Sequence, residues 1–231
     1  MTVMPHLILL GDSIFDNAAY VAGGPALIDQ VRQSLPAGWQ ATLLAVDGDT
    51  TAEVPQQLKH LPSDATHLVL SVGGNDALAC LPQIEGPASS VKQGLVTLHR
   101  IKTSFEVSYG TLIKTLLTLN KPLMVCTIYD AIPGLPPELI TALSVFNDVI
   151  LREAIQHGLP VLDLRMICTE PGDYSVVSPI EPSSQGGAKL ASQLVVGVMS
   201  HDFGGRDCYV IGNTVRSGSA TGALKSERTA G

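Results

Sequence analysis

Short, uninterrupted apolar runs alternate along this chain with longer stretches whose apolar residues recur at helical spacing. The run Leu7 to Leu10, inside HLILL, reads as a buried strand that stops at Gly11. Four more runs read the same way: WQATLLAVDGD, THLVLSVGGND, PLMVCTIYD and the short PVLDLR. Between them lie helical patterns: PALIDQVRQSL from Pro25, a helix-permissive stretch from Thr51 to Leu61, and a long region from Val91 to Leu119. A further long helix runs from Pro137 and stops at Gly158, and a last one covers Ser183 to Met199. Strands apolar throughout and separated by helices predict a parallel sheet covered on both faces.

Three of the strands end in the same chemistry, GDS, DGD and GGND. In an open α/β sheet the carboxyl ends of the strands carry the site. Gly, Asp and Asn are also ordinary turn residues, so one such end means little. Three at successive strands, each bearing groups that can donate a hydrogen bond or be attacked, mark a candidate site.

From His201 the composition shifts to Gly, Ser and Thr, with one brief apolar patch at Tyr209 to Ile211. This divides the chain into a domain over 1–200 and a tail over 201–231, expected to be poorly ordered. Of the 231 residues 45% are hydrophobic and 15% charged, enough for one core without staples. The net charge is -7 and the few Lys and Arg are scattered, which argues against a nucleic-acid partner. No apolar run is long enough to insert in a membrane. Cys80, Cys126, Cys168 and Cys208 form no CxxC pair, so neither a metal nor a redox cofactor is expected from them. Unpaired thiols, and a first strand that begins with no leader pattern before it, point to a cytoplasmic protein. The oligomeric state is not legible.

Ser13 follows the first strand, where a serine can simply cap the next helix. Attack on an ester needs more, namely preorganised donors around the same carbonyl. The Ser13 N–H is one candidate. Gly48 is a second, since a residue without a Cβ lets substrate approach its backbone. The Asn75 side-chain amide is a third. In GDSIFDN, DGDTT and GGND the sequence resembles the SGNH hydrolases, also called GDSL lipases and esterases. The likeness covers about the first two hundred residues. It implies a three-layer α/β/α sandwich with a flavodoxin-like parallel sheet, five-stranded here. It assigns Ser13 as nucleophile, Ser13, Gly48 and Asn75 as oxyanion hole, and Asp12 and Asp76 as holders of the loops.

The last block departs from that family, which carries Asp-x-x-His-Pro before its final helix. The matching segment is SPIEPSSQGG, with Glu181 at the histidine position and Ser178 at the aspartate position. An unshifted Glu, pKa ~4.3 against ~6.5 for His, is a poor acceptor of a serine proton. Burial beside Asp12 and Asp76 would raise it. A carboxylate needs no second residue to set a tautomer, so the two replacements are coherent. The histidines at 6, 60, 67, 99, 157 and 201 fall at strand starts, on helices or at the tail boundary, where surface or capping roles suffice.

Three readings follow. One is a serine hydrolase acting on a small carboxylic ester or thioester through a Ser13 acyl-enzyme, with Glu181 as base and activity weakened by the missing His. The second is an inactive or very slow member that keeps the pocket to bind an acyl or carbohydrate ligand. The third, ranked last, is a metal-dependent phosphoesterase using Asp12, Asp16, Asp47, Asp49 and Asp76. The loops Ala19 to Gly24, Leu81 to Ser90 and Ala131 to Pro137 would give the site a modestly apolar mouth.

Overall fold

The computed structural model describes residues 4–205 and 207–212. Its centre is β1 (His6–Gly11), whose six residues are all buried. After His6 such a strand can stay buried at every position only if both of its faces and both of its edges are covered. Along its edges lie β2 (Gln40–Leu43) and β3 (His67–Ser71), both parallel to it. The sheet continues through β4 (Leu123–Cys126), β5 (Val161–Leu162) and β6 (Val210–Ile211), all parallel, in the order β2-β1-β3-β4-β5-β6.

Alternate strand residues point to opposite faces. Leu7, Leu9, Val69 and Met124 pack on one side with Leu27 and Val31 of α1 (Leu27–Ser34) and with Leu190 and Leu194 of α7 (Ser184–Ser200). Ile8, Leu10, Leu68 and Val125 pack on the other with Phe105 and Ile113 of α5 (Val91–Leu117) and Phe146 and Ile150 of α6 (Pro137–His157). The arrangement is the expected three-layer α/β/α sandwich. The expected stretch 51–61 folds as α2 (Val54–Gln57) followed by a 3-10 turn, Leu58–His60. Helix α6 ends at the foreseen Gly158, which takes the left-handed conformation, φ 64.

Two features differ from expectation. The sheet has six strands, because Val210–Ile211 pairs with β5. This strand lies in the stretch read as tail; the remainder of that tail, 213–231, lies outside the described residues. In addition, the chain after β3 forms two short helices, α3 (Gly74–Ala79), which was not foreseen, and α4 (Leu81–Ile84), which lies in the stretch 81–90 expected as a loop.

The site is positioned by the way β1 ends. Gly11 sits at φ 128, and a Cβ there would lie 1.7 Å from the Ser71 carbonyl oxygen. Only glycine allows β1 and β3 to stay this close while the chain turns, and Asp12 N–H then donates to the same carbonyl at 3.1 Å. Sequence order and sheet order reverse between β1 and β3, which opens a crevice at their carboxyl ends. Gly11→Ala should therefore cost about 4 kcal/mol or more of stability, through clash and backbone strain together. Urea unfolding of the purified variant checks it; a loss below about 1 kcal/mol would show that the two strand ends are free to separate.

Candidate active site

Ser13 follows β1 and Asn75 opens α3 after β3, so the two residues flank the crevice. Glu181 arrives from far along the chain, on the loop before α7. A 3.0 Å hydrogen bond joins the Ser13 hydroxyl to Glu181 Oε1. Both residues are buried, at 6% and 5% exposure. The other carboxylate oxygen, Oε2, is buried without a hydrogen-bond partner among the described residues.

The Glu181 backbone is held on both sides. Its N–H donates to Ser178 O at 3.0 Å, and its carbonyl accepts from Ser175 N at 2.8 Å. The Tyr129 hydroxyl donates to the neighbouring Ile180 carbonyl at 2.6 Å. Asn17 connects the start of the chain to the same loop. Its Oδ1 accepts from Leu27 N at 2.8 Å and its Nδ2 donates to Pro182 O at 3.3 Å. Immediately after, Ser183 caps α7, accepting from Gly186 N at 3.1 Å.

Burial raises the Glu181 carboxyl to about 7; the Ser13 hydrogen bond opposes the rise and the charge of Asp47 adds to it. The upward shift anticipated from sequence is present, though the neighbouring charge that contributes is Asp47, on the loop after β2. Asp12 is raised further, to about 8, again chiefly by burial, with Glu181 and Asp76 adding repulsion. Asp76 is also raised by its burial, against two hydrogen bonds from Thr51.

Potential oxyanion donors are present. The Ser13 N–H donates to no group among the described residues. One Asn75 Nδ2 hydrogen is used by the Asp49 carbonyl at 3.0 Å, which fixes the amide and leaves the second hydrogen for a ligand. Ser13, Asn75, Asp12 and Glu181 all line one cavity of about 120 Å³. Gly48 does not line it. It sits exposed on the β2 loop at φ 86, with open space beside it.

The acids at the strand ends are occupied with the loops. Asp12 Oδ1 accepts from Ile14 N at 3.1 Å, Asp16 from Asp47 N at 3.0 Å and Asp47 from the Tyr20 hydroxyl at 2.7 Å. Asp49 accepts from Gln57 Nε2 at 2.7 Å. Among the described residues, no three His, Cys, Asp or Glu side chains are grouped so as to hold a metal ion. No histidine lines the cavity. His6 bonds Thr42 and Asp64, His67 stacks near Trp39, His157 faces Glu153, and His201 packs on Phe203 and Tyr209.

Gln57 is the residue that sequence reading missed. Its amide exchanges two hydrogen bonds with the Gly11 backbone, at 3.0 and 2.7 Å, while also holding Asp49. It thereby links the end of β1 to the loop that fixes Asn75. A buried glutamine in a short helix carries no motif, and only its apolar neighbours hint that it faces inward. Tyr129 was also passed over, though it stands at a strand end, in CTIYD.

Residues 9–188 match the model of the GDSL-like lipase/acylhydrolase family. Solved structures with the same fold include an extracellular lipase from Streptomyces rimosus, with TM-score 0.63 and 15% identity over 86% of this chain and 100% of that one. A lipase/acylhydrolase from Enterococcus faecalis gives TM-score 0.60 and 22% identity, over 84% and 95%. An acetyl xylan esterase from Geobacillus stearothermophilus gives TM-score 0.62 and 15% identity, over 84% and 94%. No curated protein sequence matches.

The two raised carboxyls have a consequence for stability. Glu181 and Asp12 hold protons in the folded state that the unfolded chain releases, so stability falls as pH rises from about 4 to about 8. Melting temperature should drop between pH 5 and pH 8, and Glu181→Gln should reduce that drop. Calorimetry at the two pH values checks it; a variant with the full wild-type drop would mean that Glu181 is not protonated on folding.

Proposed function

The chain belongs to the GDSL-like lipase/acylhydrolase family, and from that premise we propose that it hydrolyses a small carboxylic ester or thioester through a Ser13 acyl-enzyme. The observation that carries the reading is the 3.0 Å bond from the Ser13 hydroxyl to a Glu181 carboxyl poised near neutrality. A general base works best when its pKa lies close to the working pH. At about 7, Glu181 has the basicity that an exposed glutamate lacks and a histidine ordinarily supplies.

In this mechanism Ser13 Oγ bonds to the substrate carbonyl carbon as its proton passes to Glu181 Oε1. The carbonyl π pair moves onto oxygen, where the Ser13 N–H and the free Asn75 hydrogen stabilise it. The C–O or C–S bond then breaks, and the leaving group departs with the proton from Glu181. Water attacks the acyl-enzyme and gives a proton to Glu181. That proton returns to Ser13 as the carboxylic acid leaves. Asp12, neutral at pH 7 because it is buried, supports the turn without adding a second negative charge beside the developing oxyanion.

Gly48, exposed and outside the cavity, contributes here through the loop that bears Asp47 and Asp49, and as a donor only if that loop moves inward. The reading treats the protein as cytoplasmic, with no cofactor, as its composition implied.

Fluorophosphonate labelling tests the mechanism. Wild-type protein should label at Ser13, and Ser13→Ala should not. Glu181→Gln should label and turn over p-nitrophenyl acetate about 10²-fold more slowly or worse. Wild-type kcat/KM should rise through about pH 7 as Glu181 loses its proton. A protein that binds ligand saturably but never labels has a binding role alone.

A further inference from the structure

We propose that the first three turns of α5 are a docking surface for an anionic lipid bilayer, set beside the cavity that holds Ser13. Such docking goes beyond the proposed reaction and requires no turnover.

Helix α5 is longer than the sheet it covers. Its 27 residues span about 40 Å, whereas the 5 residues of β3 span about 17 Å. Its last turn leads into β4 at the amino ends of the strands, so its first turns project past the carboxyl ends, where Ser13 and Asn75 stand. Val91, Leu98, Phe105 and Leu112 recur at seven-residue spacing along one face. Lower down, that face is core: Phe105 and Leu112 are buried, with Ile101 and Tyr109 beside them. In the first three turns it is uncovered. No residue from 91 to 100 is buried, and Val91 is 81% and Leu95 61% exposed. Single exposed leucines are ordinary, whereas a core face that continues into solvent marks a surface with a partner.

Charge decides what covers it. The chain has a net charge of -7, yet no acid falls between Glu85 and Glu106, where Lys92, His99, Arg100 and Lys102 lie. Lys102 pairs with Asp148 of α6. Lys92 and Arg100 form no ion pair among the described residues. Lys92, Val96, His99 and Arg100 follow one another at helical spacing, beside the row of Val91, Leu95 and Leu98. An apolar row flanked by cations on a surface helix is the pattern that settles among the headgroups of an anionic bilayer. A second copy of the chain fits less well. Packed antiparallel on itself, this segment would bring the Lys92 end of one copy to the Arg100 end of the other, with no acid between them.

The position of the helix connects docking to the site. α5 packs against α4, and Leu81 and Ile84 of α4 line the Ser13 cavity together with Leu78 of α3, which is 40% exposed. A bilayer reached by Val91 and Leu95 therefore lies on the same side of the molecule as Leu78. An ester dissolved in that bilayer then reaches Ser13 without crossing bulk water.

The test is co-sedimentation with vesicles of phosphatidylcholine alone and of phosphatidylcholine with about one part in four phosphatidylglycerol. Wild-type protein should partition onto the anionic vesicles about tenfold more strongly, and the gain should fade as salt rises to about 1 M. Val91→Gln with Leu95→Gln, at exposed positions where glutamine suits a helix, should lower partitioning onto the anionic vesicles about tenfold or more. Lys92→Gln with Arg100→Gln should remove the preference for anionic lipid. None of these four residues lines the cavity, so turnover of dissolved p-nitrophenyl acetate should stay at the wild-type rate. Ser13→Ala should bind vesicles as the wild type does, so the surface is judged even if no ester is hydrolysed. No binding to either vesicle, equal binding to both, or binding unmoved by the two double variants overturns the docking surface while the hydrolase reading stands. A dimer in solution that Leu95→Gln dissociates overturns it too, since the row is then covered by a second copy.

Discussion

A serine hydroxyl and a glutamate carboxyl, 168 positions apart in the chain, meet at 3.0 Å in a place that water barely reaches. The chemistry of the crevice depends on that meeting. An isolated buried carboxylate is expensive, and a protein usually answers by pairing it with a cation or by keeping its proton. No cation lines this cavity, so the second course is taken. Glu181 sits near the midpoint of its titration at neutral pH, and Asp12 keeps its proton. The two carboxyls thus bring less negative charge than two exposed acids would, which suits a place where negative charge must develop on a substrate.

Around this pair runs a second set of contacts that holds the loops in place. Asp16, Asp47, Asp49 and Asp76 each accept from a backbone or side-chain donor on a neighbouring loop. Gln57 joins the end of β1 to Asp49, and Asp49 joins Asn75. The amide that would face an oxyanion is thus oriented by a chain of hydrogen bonds that begins at the central strand. On the far side, Asn147 of α6 clasps both the N–H and the carbonyl of Ile128 at 2.8 Å, fixing the segment that presents Tyr129 to the Glu181 loop.

Much of this was legible in the sequence, for identifiable reasons. Buried parallel strands are apolar without interruption, and their ends stand out because Gly, Asp, Ser and Asn replace Leu and Val abruptly. That placed Ser13 and Asn75 at neighbouring strand ends, whereas Glu181 came from the resemblance of the segment before the final helix. Gln57 and Tyr129 could not be found in the same way. Gln57 acts through three hydrogen bonds to Gly11 and Asp49, and Tyr129 through one to the Ile180 carbonyl; no local pattern encodes bonds to partners so distant in sequence. The short helices α3 and α4 escaped because at six and four residues neither spans enough turns to show a period. Strand β6 escaped because two residues cannot show alternation.

That last strand changes what a natural-looking boundary means. Composition places the end of the domain at residue 200, but Val161 N–H donates to Tyr209 O at 2.7 Å and Asp163 N–H to Ile211 O at 2.8 Å. A chain trimmed at 200 would leave β5, wholly buried in its side chains, with an open row of donors and acceptors. Unpaired edges of that kind recruit strands from other molecules. The segment after α7, which looks dispensable by composition, replaces that buried open edge with an edge strand of two residues, a far shorter template.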